Sequence, residues 1–369
     1  MTTAADGNLR IRDPKSGALL LIDIATSRGG YFSDDDKYVR NLDRWVPLER
    51  TEHCRVLHHG EVGNRAQVGF GAYSLHHVSF SSDSLYLASS GKDGARVWQI
   101  PSAKEVTHLP GSAFATFLLD GDLVDASVNR HRRSNLAPGE MAPAWDVRGE
   151  VLQPTSYRAR ISVSNDGKWL SFVRKNEQCV LNLETNQLIT KTIDNCWAMA
   201  VNPDGTLVAG SAGGSDKGNS VEIWNPRTGA HITELIEPHP TLLFSPNGKW
   251  LVNSSYNSTH VRQTSDWNTV ARFSRASYVR SGGPAPVCFT ADSRYLLMTP
   301  DDFHVCLVNT TNWKAVANFE SPQMKLVSAA AISPNGRWIA VASAIGTIYV
   351  WDVQLVRETL RDLNLDWQD

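Results

Sequence analysis

Short apolar runs and tight polar reversals alternate along most of this chain, and one unit recurs. Each copy reads as an apolar strand, a reversal centred on Asp or Asn, and a second apolar strand, as in LLFSPNGKWLV from Leu242. Asp and Asn suit such reversals because they bond their own backbone and tolerate the left-handed conformation. The pattern predicts a β-hairpin at each of eight reversals, centred on Asp35, Asp83, Asp120, Asp166, Asp204, Asn247, Asp292 and Asn335.

A third strand follows most of the hairpins, as in RVW at 96–98 and YVW at 349–351. The eight reversals lie about 43 residues apart on average, which is the length of one four-stranded propeller blade. We therefore expect an all-β propeller of eight blades. Seven is the alternative if the first repeat lies outside the ring, because its third strand at 44–48 is interrupted by Pro47.

The third strands resemble those of the WD-repeat β-propeller family, and the resemblance covers nearly the whole chain. Trp-Asp stands at 145–146 and 351–352, with Trp-Gln at 98–99 and Trp-Asn at 224–225 as variants. The Gly-His pair that precedes the first strand in the family is absent. The sequence therefore does not predict the hydrogen-bonded Asp-His-Ser/Thr-Trp network that is typical of strong repeats.

The chain is predicted to be a single β-propeller domain, residues 1–369, in three parts. Residues 1–24 hold a closing region, in which the strand at 18–24 is expected to pair with the last blade as its outer strand. Residues 25–352 hold the repeats. Residues 353–369 form a tail that begins as a short amphipathic helix, with Val356, Leu360 and Leu363 on one side.

A narrower resemblance concerns the end of this tail. Residues 360–367 look like the end of the WD-repeat arrays in large bacterial serine/threonine protein kinases, where the propeller follows the kinase domain. No HRD or DFG kinase motif occurs in this chain. The resemblance implies a sensor or docking module linked to kinase signalling, without the catalytic part.

Composition and charge exclude several classes of protein. The 36 Lys and Arg nearly balance the 38 Asp and Glu, so no general attraction to nucleic acid or an anionic membrane is expected. The five cysteines are not closely paired, which favours neither a disulfide framework nor a zinc knuckle. No signal peptide or run of about 18 apolar residues is found. We expect a soluble, cytoplasmic monomer.

The two faces of the predicted disc differ in loop length. The turn face carries the turns between first and second and between third and fourth strands, and these turns are short. The loop face carries the remaining connections, and all the long segments belong to it: 58–77, 127–143, 211–220 and 274–285. Because long loops on a rigid scaffold tend to carry function, the loop face is predicted to bind a partner.

Seven residues are candidates for that contact. The guanidinium group of an arginine can donate two parallel hydrogen bonds to one phosphate or carboxylate group. The cluster of Arg130, His131, Arg132 and Arg133 could therefore hold a phosphate or an acidic partner segment. The alternative for this cluster is a solvated basic loop. Three further candidates near the mouth of the central channel are His77, Trp197 and His239, for which capping of the core is the alternative.

Catalytic and metal-binding constellations are sparse in the sequence. The histidine pairs at 58–59 and 76–77 could approach a divalent metal, but no Asp or Glu completes the set at a recognisable spacing. We therefore expect no metal, no cofactor and no catalytic residue. The predicted function is a non-catalytic scaffold that binds a protein or peptide; the alternatives are a propeller enzyme of the lyase or lactonase type and a small-ligand sensor at the channel mouth.

Overall fold

The computed structural model describes most of the chain from residue 53 onward. The described ranges are 53–59, 75–91, 93–110, 114–125, 162–164, 167–174, 177–193, 196, 198–214, 218–236, 241–255, 257–276, 287–320, 326–344, 346–362 and 366–367. Seven short strands are described by their backbone alone, at 2–3, 8–12, 19–24, 31–32, 38–41, 44–47 and 130–131.

The first six strands form two separate three-stranded antiparallel sheets. The first sheet contains β1 (Thr2–Thr3), β2 (Asn8–Arg12) and β3 (Leu19–Ile24). The second contains β4 (Tyr31–Phe32), β5 (Tyr38–Asn41) and β6 (Arg44–Pro47).

Six four-stranded antiparallel sheets, named blades A to F, make up most of the described residues. Blade A contains β8 (Leu75–Phe80), β9 (Tyr86–Gly91), β10 (Gly94–Gln99) and β11 (Lys104–Leu109). A three-stranded sheet follows, here the narrow sheet, with β12 (Ala115–Phe117), β13 (Leu123–Asp125) and β14 (Arg130–His131). Blade B contains β15 (Ser162–Val163), β16 (Trp169–Arg174), β17 (Glu177–Asn182) and β18 (Leu188–Thr192).

The remaining blades follow in chain order. Blade C contains β19 (Met199–Val201), β20 (Val208–Gly214), β21 (Gly218–Trp224) and β22 (His231–Ile236). Blade D contains β23 (Thr241–Phe244), β24 (Trp250–Ser254), β25 (Ser258–Gln263) and β26 (Thr269–Ser274). Blade E contains β27 (Val287–Phe289), β28 (Tyr295–Met298), β29 (His304–Asn309) and β30 (Lys314–Glu320). Blade F contains β31 (Val327–Ile332), β32 (Trp338–Ser343), β33 (Thr347–Asp352) and β7 (Cys54–His58).

The predicted hairpins are confirmed, as blade D illustrates. β23 ends at Phe244 and β24 begins at Trp250, three residues on either side of the predicted centre. At that centre the side-chain oxygen of Asn247 accepts a hydrogen bond from the amide of Lys249 at 3.0 Å. The following residue, Gly248, has a φ of 71°, which an asparagine-glycine reversal favours. Local chemistry therefore determines where these strands turn.

The core consists of apolar clusters that lie between neighbouring sheets. Trp169 and Val180 of blade B pack with Val208 and Trp224 of blade C, for example. The narrow sheet lies between blades A and B, since its residues join clusters with both. Blade F packs against blade A in the same manner. The six blades and the narrow sheet thus remove both of their apolar faces from water, which is the arrangement of a β-propeller.

The strand that completes blade F differs from the prediction. We expected the strand at 18–24 to pair there, but β3 pairs with β2 instead. The fourth strand of blade F is β7, whose residue Cys54 lies opposite Trp351 in the register. β7 brings Leu57, which is only 2 % exposed, into the apolar cluster between blades F and A.

The expected count of eight blades is also wrong, as is the alternative of seven, because the described residues contain six four-stranded blades. A hairpin marks only the first two strands of a repeat. In the first repeat, β4 to β6 remain three-stranded, since the next strand along the chain, β7, is used by blade F. The narrow sheet also has three strands among the described residues.

The predicted helix follows β33 directly, as α1 (Val353–Asp362). The carboxylate of Asp352 accepts a hydrogen bond from the amide of Leu355 at 3.3 Å and so caps the helix N-terminus. Val353 is buried in the cluster between blades E and F, which holds the helix against the propeller. Neither α1 nor any other helix in the described ranges has the length and apolar character needed to cross a membrane.

Candidate functional site

A central cavity of about 310 Å³ lies where the first strands of the blades and β12 meet. His76 and Thr241 line it at the beginnings of first strands, whereas Ser82, Leu119 and Pro334 line it in the turns that follow first strands. Apart from His77, the other lining residues are small, hydroxyl-bearing or apolar, and none of those described is Asp, Glu, Lys or Arg. The cavity therefore suits an uncharged group.

A second cavity of about 420 Å³, here the tail pocket, lies at the turn face. Its walls come from the first turns of blades E and F and from the helix with the tail behind it. Arginines dominate its charged lining: Arg294, Arg337, Arg357 and Arg361. The pocket floor is apolar and comes from Leu307, Ile332, Ile339 and Val353, beside the rings of Tyr295 and Trp367.

Buried carboxylates hold Arg337, Arg357 and Arg361 in place from behind, whereas Arg294 donates to Asp292, which is exposed and lines the pocket itself. Arg337 donates to Asp352 through Nη2 at 2.8 Å, and this hydrogen bond raises the pKa of the guanidinium. Arg361 donates to Asp366 through Nε at 3.2 Å. Hydrogen bonds from Arg357, and then from Arg361, lower the pKa of Asp366 despite some desolvation, so this carboxylate stays charged.

The arginines nevertheless remain accessible. The side chains of Arg337 and Arg361 are 46 % and 58 % exposed, whereas those of Asp352 and Asp366 are 3 % and 11 % exposed. The carboxylates of Asp352 and Asp366 are therefore withdrawn from the pocket, which Arg337 and Arg361 line. An arginine carries five N–H donors, so one bound carboxylate does not exhaust its capacity.

The central cavity and the tail pocket adjoin. Ile332 and Pro334 line both of them. The turn of blade F that contains Pro334 thus separates an uncharged cavity from an arginine-lined one. The two cavities therefore form a continuous concave area that reaches the turn face at Pro334, although the short turns of this face gave no reason to expect a site there.

Hydrogen bonds between blades stiffen this face. The amide of Asn335 donates to Ser84 Oγ at 3.2 Å, which joins the first turns of blades F and A. The amide of Asn247 donates to Ser293 Oγ at 3.0 Å, which joins those of blades D and E. Both serines have positive φ, 63° for Ser84 and 61° for Ser293, where glycine would be less strained. The hydroxyl group thus explains why serine stands at these two positions.

Few of the sequence-predicted site residues can be placed. Arg130 and His131 lie in β14, where they pair with Val124 and Leu123, so their assignment to a loop at 127–143 is wrong. Their backbone continues the hydrogen bonding of β13, which the charged sequence did not suggest. His77 lies in β8, lines the central cavity and stacks on Phe114 with ring centroids 4.1 Å apart. Outside the described residues lie Arg132, Arg133, Trp197 and His239.

The glycine-rich segment at 211–220 is also mostly strand. Ser211 in β20 lies opposite Val221 in β21, and the pairing continues to Gly214 opposite Gly218. The long loop expected there is therefore largely a hairpin.

One blade contains the network that the sequence did not predict. Trp98 Nε1 donates to Ser89 Oγ at 2.8 Å, Ser89 Oγ lies 2.7 Å from His59 Nδ1, and His59 Nε2 lies 2.9 Å from Asp93 Oδ1. With the His59 proton on Nε2, each donor in this series has an acceptor. The histidine comes from the segment after β7 and is only 4 % exposed, so the network ties blade F to blade A. This is the Asp-His-Ser-Trp network of the WD repeat.

The ionisable groups of the network are shifted as its burial implies. Burial lowers the pKa of His59, although the charge of Asp93 acts against this effect. Burial tends to raise the pKa of Asp93, but the hydrogen bond from Arg96 and the neighbouring His59 lower it overall. The network therefore favours a neutral imidazole beside a charged carboxylate.

The histidine pairs do not assemble a metal site within the described part of the chain. His58 is exposed at the end of β7 while His59 is buried, as strand alternation requires. No group of three or more His, Cys, Asp or Glu side chains with metal-binding geometry occurs in the described ranges. Among the cysteines, burial raises the pKa of Cys54 and Cys288 to about 12, which makes their thiols poor nucleophiles at neutral pH.

Sequence reasoning missed the tail pocket because its parts lie far apart in the chain. One signal was available: a basic residue stands two after the turn centre in several repeats, as in Lys249, Arg294 and Arg337. Equivalent turn positions lie on one face, so these cations share it. The contribution of Arg357 and Arg361 depends on how the helix packs, which that spacing does not reveal.

Comparisons with known proteins agree with this architecture. The family model described as "WD domain, G-beta repeat" matches residues 313–352, which contain β30 to β33. An uncharacterized WD repeat-containing protein of Synechocystis sp. (strain ATCC 27184 / PCC 6803 / Kazusa) is 25 % identical over 205 residues, which cover 54 % of this chain and 57 % of that protein. The chain thus matches little more than half of that relative. Both findings support a WD-repeat family for this chain.

Proposed function

We propose that this chain is a non-catalytic protein-interaction scaffold that binds a segment of its partner on the turn face. The observation that carries the proposal is the junction of the central cavity and the tail pocket at Ile332 and Pro334. A WD-repeat propeller suggests a protein-interaction scaffold, and this junction is a concave area where an extended segment fits.

Rigidity supports the same conclusion. The bonds from Asn335 to Ser84 and from Asn247 to Ser293 hold the turns of neighbouring blades together before any partner arrives. A preorganised surface loses little conformational entropy on binding. Exposed apolar side chains add contact area, since Leu85 is 45 % exposed and Leu119 is 50 % exposed, both in first turns.

Affinity purification with single-site variants tests the proposal. Pro334→Glu places a charge between the two cavities, and Pro246→Glu makes the same change at the equivalent turn position of blade D, which lines neither cavity. We expect proteins identified by mass spectrometry with the wild type to remain with Pro246→Glu and to be lost with Pro334→Glu. Retention of the same proteins by Pro334→Glu would contradict binding at the turn face.

The same experiment separates the turn face from the loop face. Replacement of Arg130, Arg132 and Arg133 by Ala removes the cations that the sequence assigns to a partner. If those proteins are lost with this triple variant and kept with Pro334→Glu, the loop face is the binding surface. A link to serine/threonine kinase signalling stays a prediction of the sequence resemblance, and recovery of a protein kinase in this experiment would support it.

A further inference from the structure

We propose that the tail pocket binds an acidic peptide segment of the partner protein, with one apolar side chain of that segment on the pocket floor. This inference rests on the proposed scaffold function and specifies the chemistry of the partner. The segment carries Asp or Glu side chains on both sides of its apolar residue.

The charges that line the pocket favour an acidic segment. Arg294, Arg337, Arg357 and Arg361 line it, and Asp292 is the acidic residue among the lining residues that the structure describes. Arg294 is paired with Asp292, and the carboxylates of Asp352 and Asp366 are almost fully buried, so Arg337, Arg357 and Arg361 give the wall an excess of positive charge although the whole chain has a formal charge of −2. Carboxylates of an incoming segment complement this local charge.

The fixed orientation of two guanidinium groups also favours the binding of carboxylates. Arg337 contacts Asp352 through Nε and Nη2, at 3.2 and 2.8 Å, and Arg361 contacts Asp366 through Nε. These bonds fix the planes of the two groups while their side chains stay about half exposed. A planar guanidinium that is already oriented binds a carboxylate at a lower entropic cost than a mobile one.

The apolar pocket floor favours a peptide over a small anion. Ile332 and Trp367 are only partly buried and supply the apolar surface of this floor, and they pack on Ile339 and Val353, which are 1 % and 7 % exposed. A free phosphate would satisfy the cations but leave this apolar floor uncovered. A cavity of about 420 Å³ instead accommodates an apolar side chain with charged neighbours, which is a common form of peptide anchor.

Fluorescence anisotropy tests the inference with the full chain. The probe is a fluorescein-labelled peptide with one phenylalanine between runs of glutamate, and the matched probe has glutamine in place of glutamate. We expect the acidic probe to bind about tenfold more tightly than the neutral one or better, and to weaken as NaCl concentration increases. Equal binding of the two probes, or no binding of the acidic probe up to about 1 mM, overturns the proposal.

Variants locate the binding to the pocket. Arg294→Ala combined with Arg361→Ala removes the two most exposed arginines, whose side chains are 63 % and 58 % exposed. Arg272→Ala removes an exposed arginine of β26 outside the pocket and is the matched control. We expect the double variant to weaken binding about tenfold and the control to leave it unchanged, with thermal melting as a check that both fold. Unchanged affinity in the double variant overturns the proposal.

Two further measurements separate this inference from its alternatives. If inorganic phosphate or anionic lipid vesicles displace the acidic probe, and an acidic probe with alanine in place of phenylalanine binds as tightly as the original, the pocket is a general anion site and the proposal is wrong. In the affinity purification, one outcome is that partners are lost with Pro334→Glu but kept with the double arginine variant. That result would support the scaffold function at the turn face and contradict recognition of an acidic segment by the tail pocket. If both variants keep the partners, the turn face is not the binding surface, and the proposed function itself is contradicted.

Discussion

Two blade junctions solve the same packing problem in different ways. At the junction of blades F and A, the indole of Trp98 donates to Ser89 of its own blade, and His59 and Asp93 continue the series. At the junction of blades B and C, the indole of Trp224 donates at 2.7 Å to Gln178 of the neighbouring blade. Both tryptophans are buried, so each N–H needs an acceptor.

The difference arises at one position. Ser89 and Gly210 each stand six residues after the turn centre of their repeat. A Cβ atom at Gly210 would lie 2.0 Å from Nε2 of Gln178, so only glycine leaves room for the glutamine amide. A serine supports a relay to an ionisable histidine, whereas a glycine admits a neutral amide from the next blade. The residue at this one position therefore decides whether an ionisable histidine or a neutral amide completes the junction.

The largest effect is expected for Gly210→Ala. The added methyl group overlaps the Gln178 amide and leaves the Trp224 N–H buried without its acceptor. Overpacking and the lost bond together destabilise the protein by roughly 2–5 kcal/mol, measured as a shift of the urea unfolding midpoint. Gly210→Ser with Gln178→Ala recreates the Ser89 arrangement and should be more stable than Gly210→Ser alone. Equal stability of those two variants would contradict the comparison.

A smaller effect is expected for Ser89→Ala. The change leaves the Trp98 N–H and His59 Nδ1 without their hydroxyl partner in a buried site. We expect a loss of about 2–3 kcal/mol of unfolding free energy. Ser102→Ala, at an exposed serine that donates to Gln99, is the control and should change stability by less than about 0.5 kcal/mol. A Ser89→Ala protein as stable as this control would show that the relay does not hold the junction.

The smallest effect is a pH dependence confined to the F–A junction. Burial lowers the pKa of His59 in the folded state, so the unfolded chain binds its proton first as pH decreases. The contribution of His59 to the free energy of unfolding is therefore fully present above pH 6.5, the pKa of histidine in the unfolded chain. Below that pH the contribution decreases, by at most about 1.4 kcal/mol per pH unit. Unfolding midpoints between pH 7.5 and 5.5 should fall less in His59→Gln than in the wild type. The wild type and Gln178→Leu should share the same pH slope.

The hairpins could be predicted from the sequence because each one is determined by a few adjacent residues. Phe244, Asn247 and Trp250 specify where a strand ends, where it reverses and where the next begins. The helix was predictable for the same reason, since Val356 and Leu360 lie about one turn apart within it; Leu363, the third residue of the predicted apolar side, lies outside the described residues. The fourth strand of blade F was not, because β3 and β7 are both short and apolar and either could pair with β33.

The tail pocket was not predicted from the sequence. Arginines were expected to bind the partner, but the sequence placed them at 130–133, and the structure groups other arginines in the tail pocket. The network of His59 was missed because the family's Gly-His pair was the signal sought for its histidine. In this chain His59 precedes Gly60 instead of following a glycine, so that signal is absent. Spatial proximity, not sequence order, brings His59 to Ser89 and Asp93.

The sequence alone determined the repeating hairpins, the strand boundaries and the propeller class, because these depend on turn chemistry and on apolar positions within a few residues. The tertiary structure decided which strand completes blade F, which groups accept the Trp98 and Trp224 protons, and which arginines share a pocket. Those outcomes depend on contacts between segments as distant as Cys54 and Trp351. Many pairings of similar apolar strands are compatible with one pattern, and only packing in three dimensions selects among them.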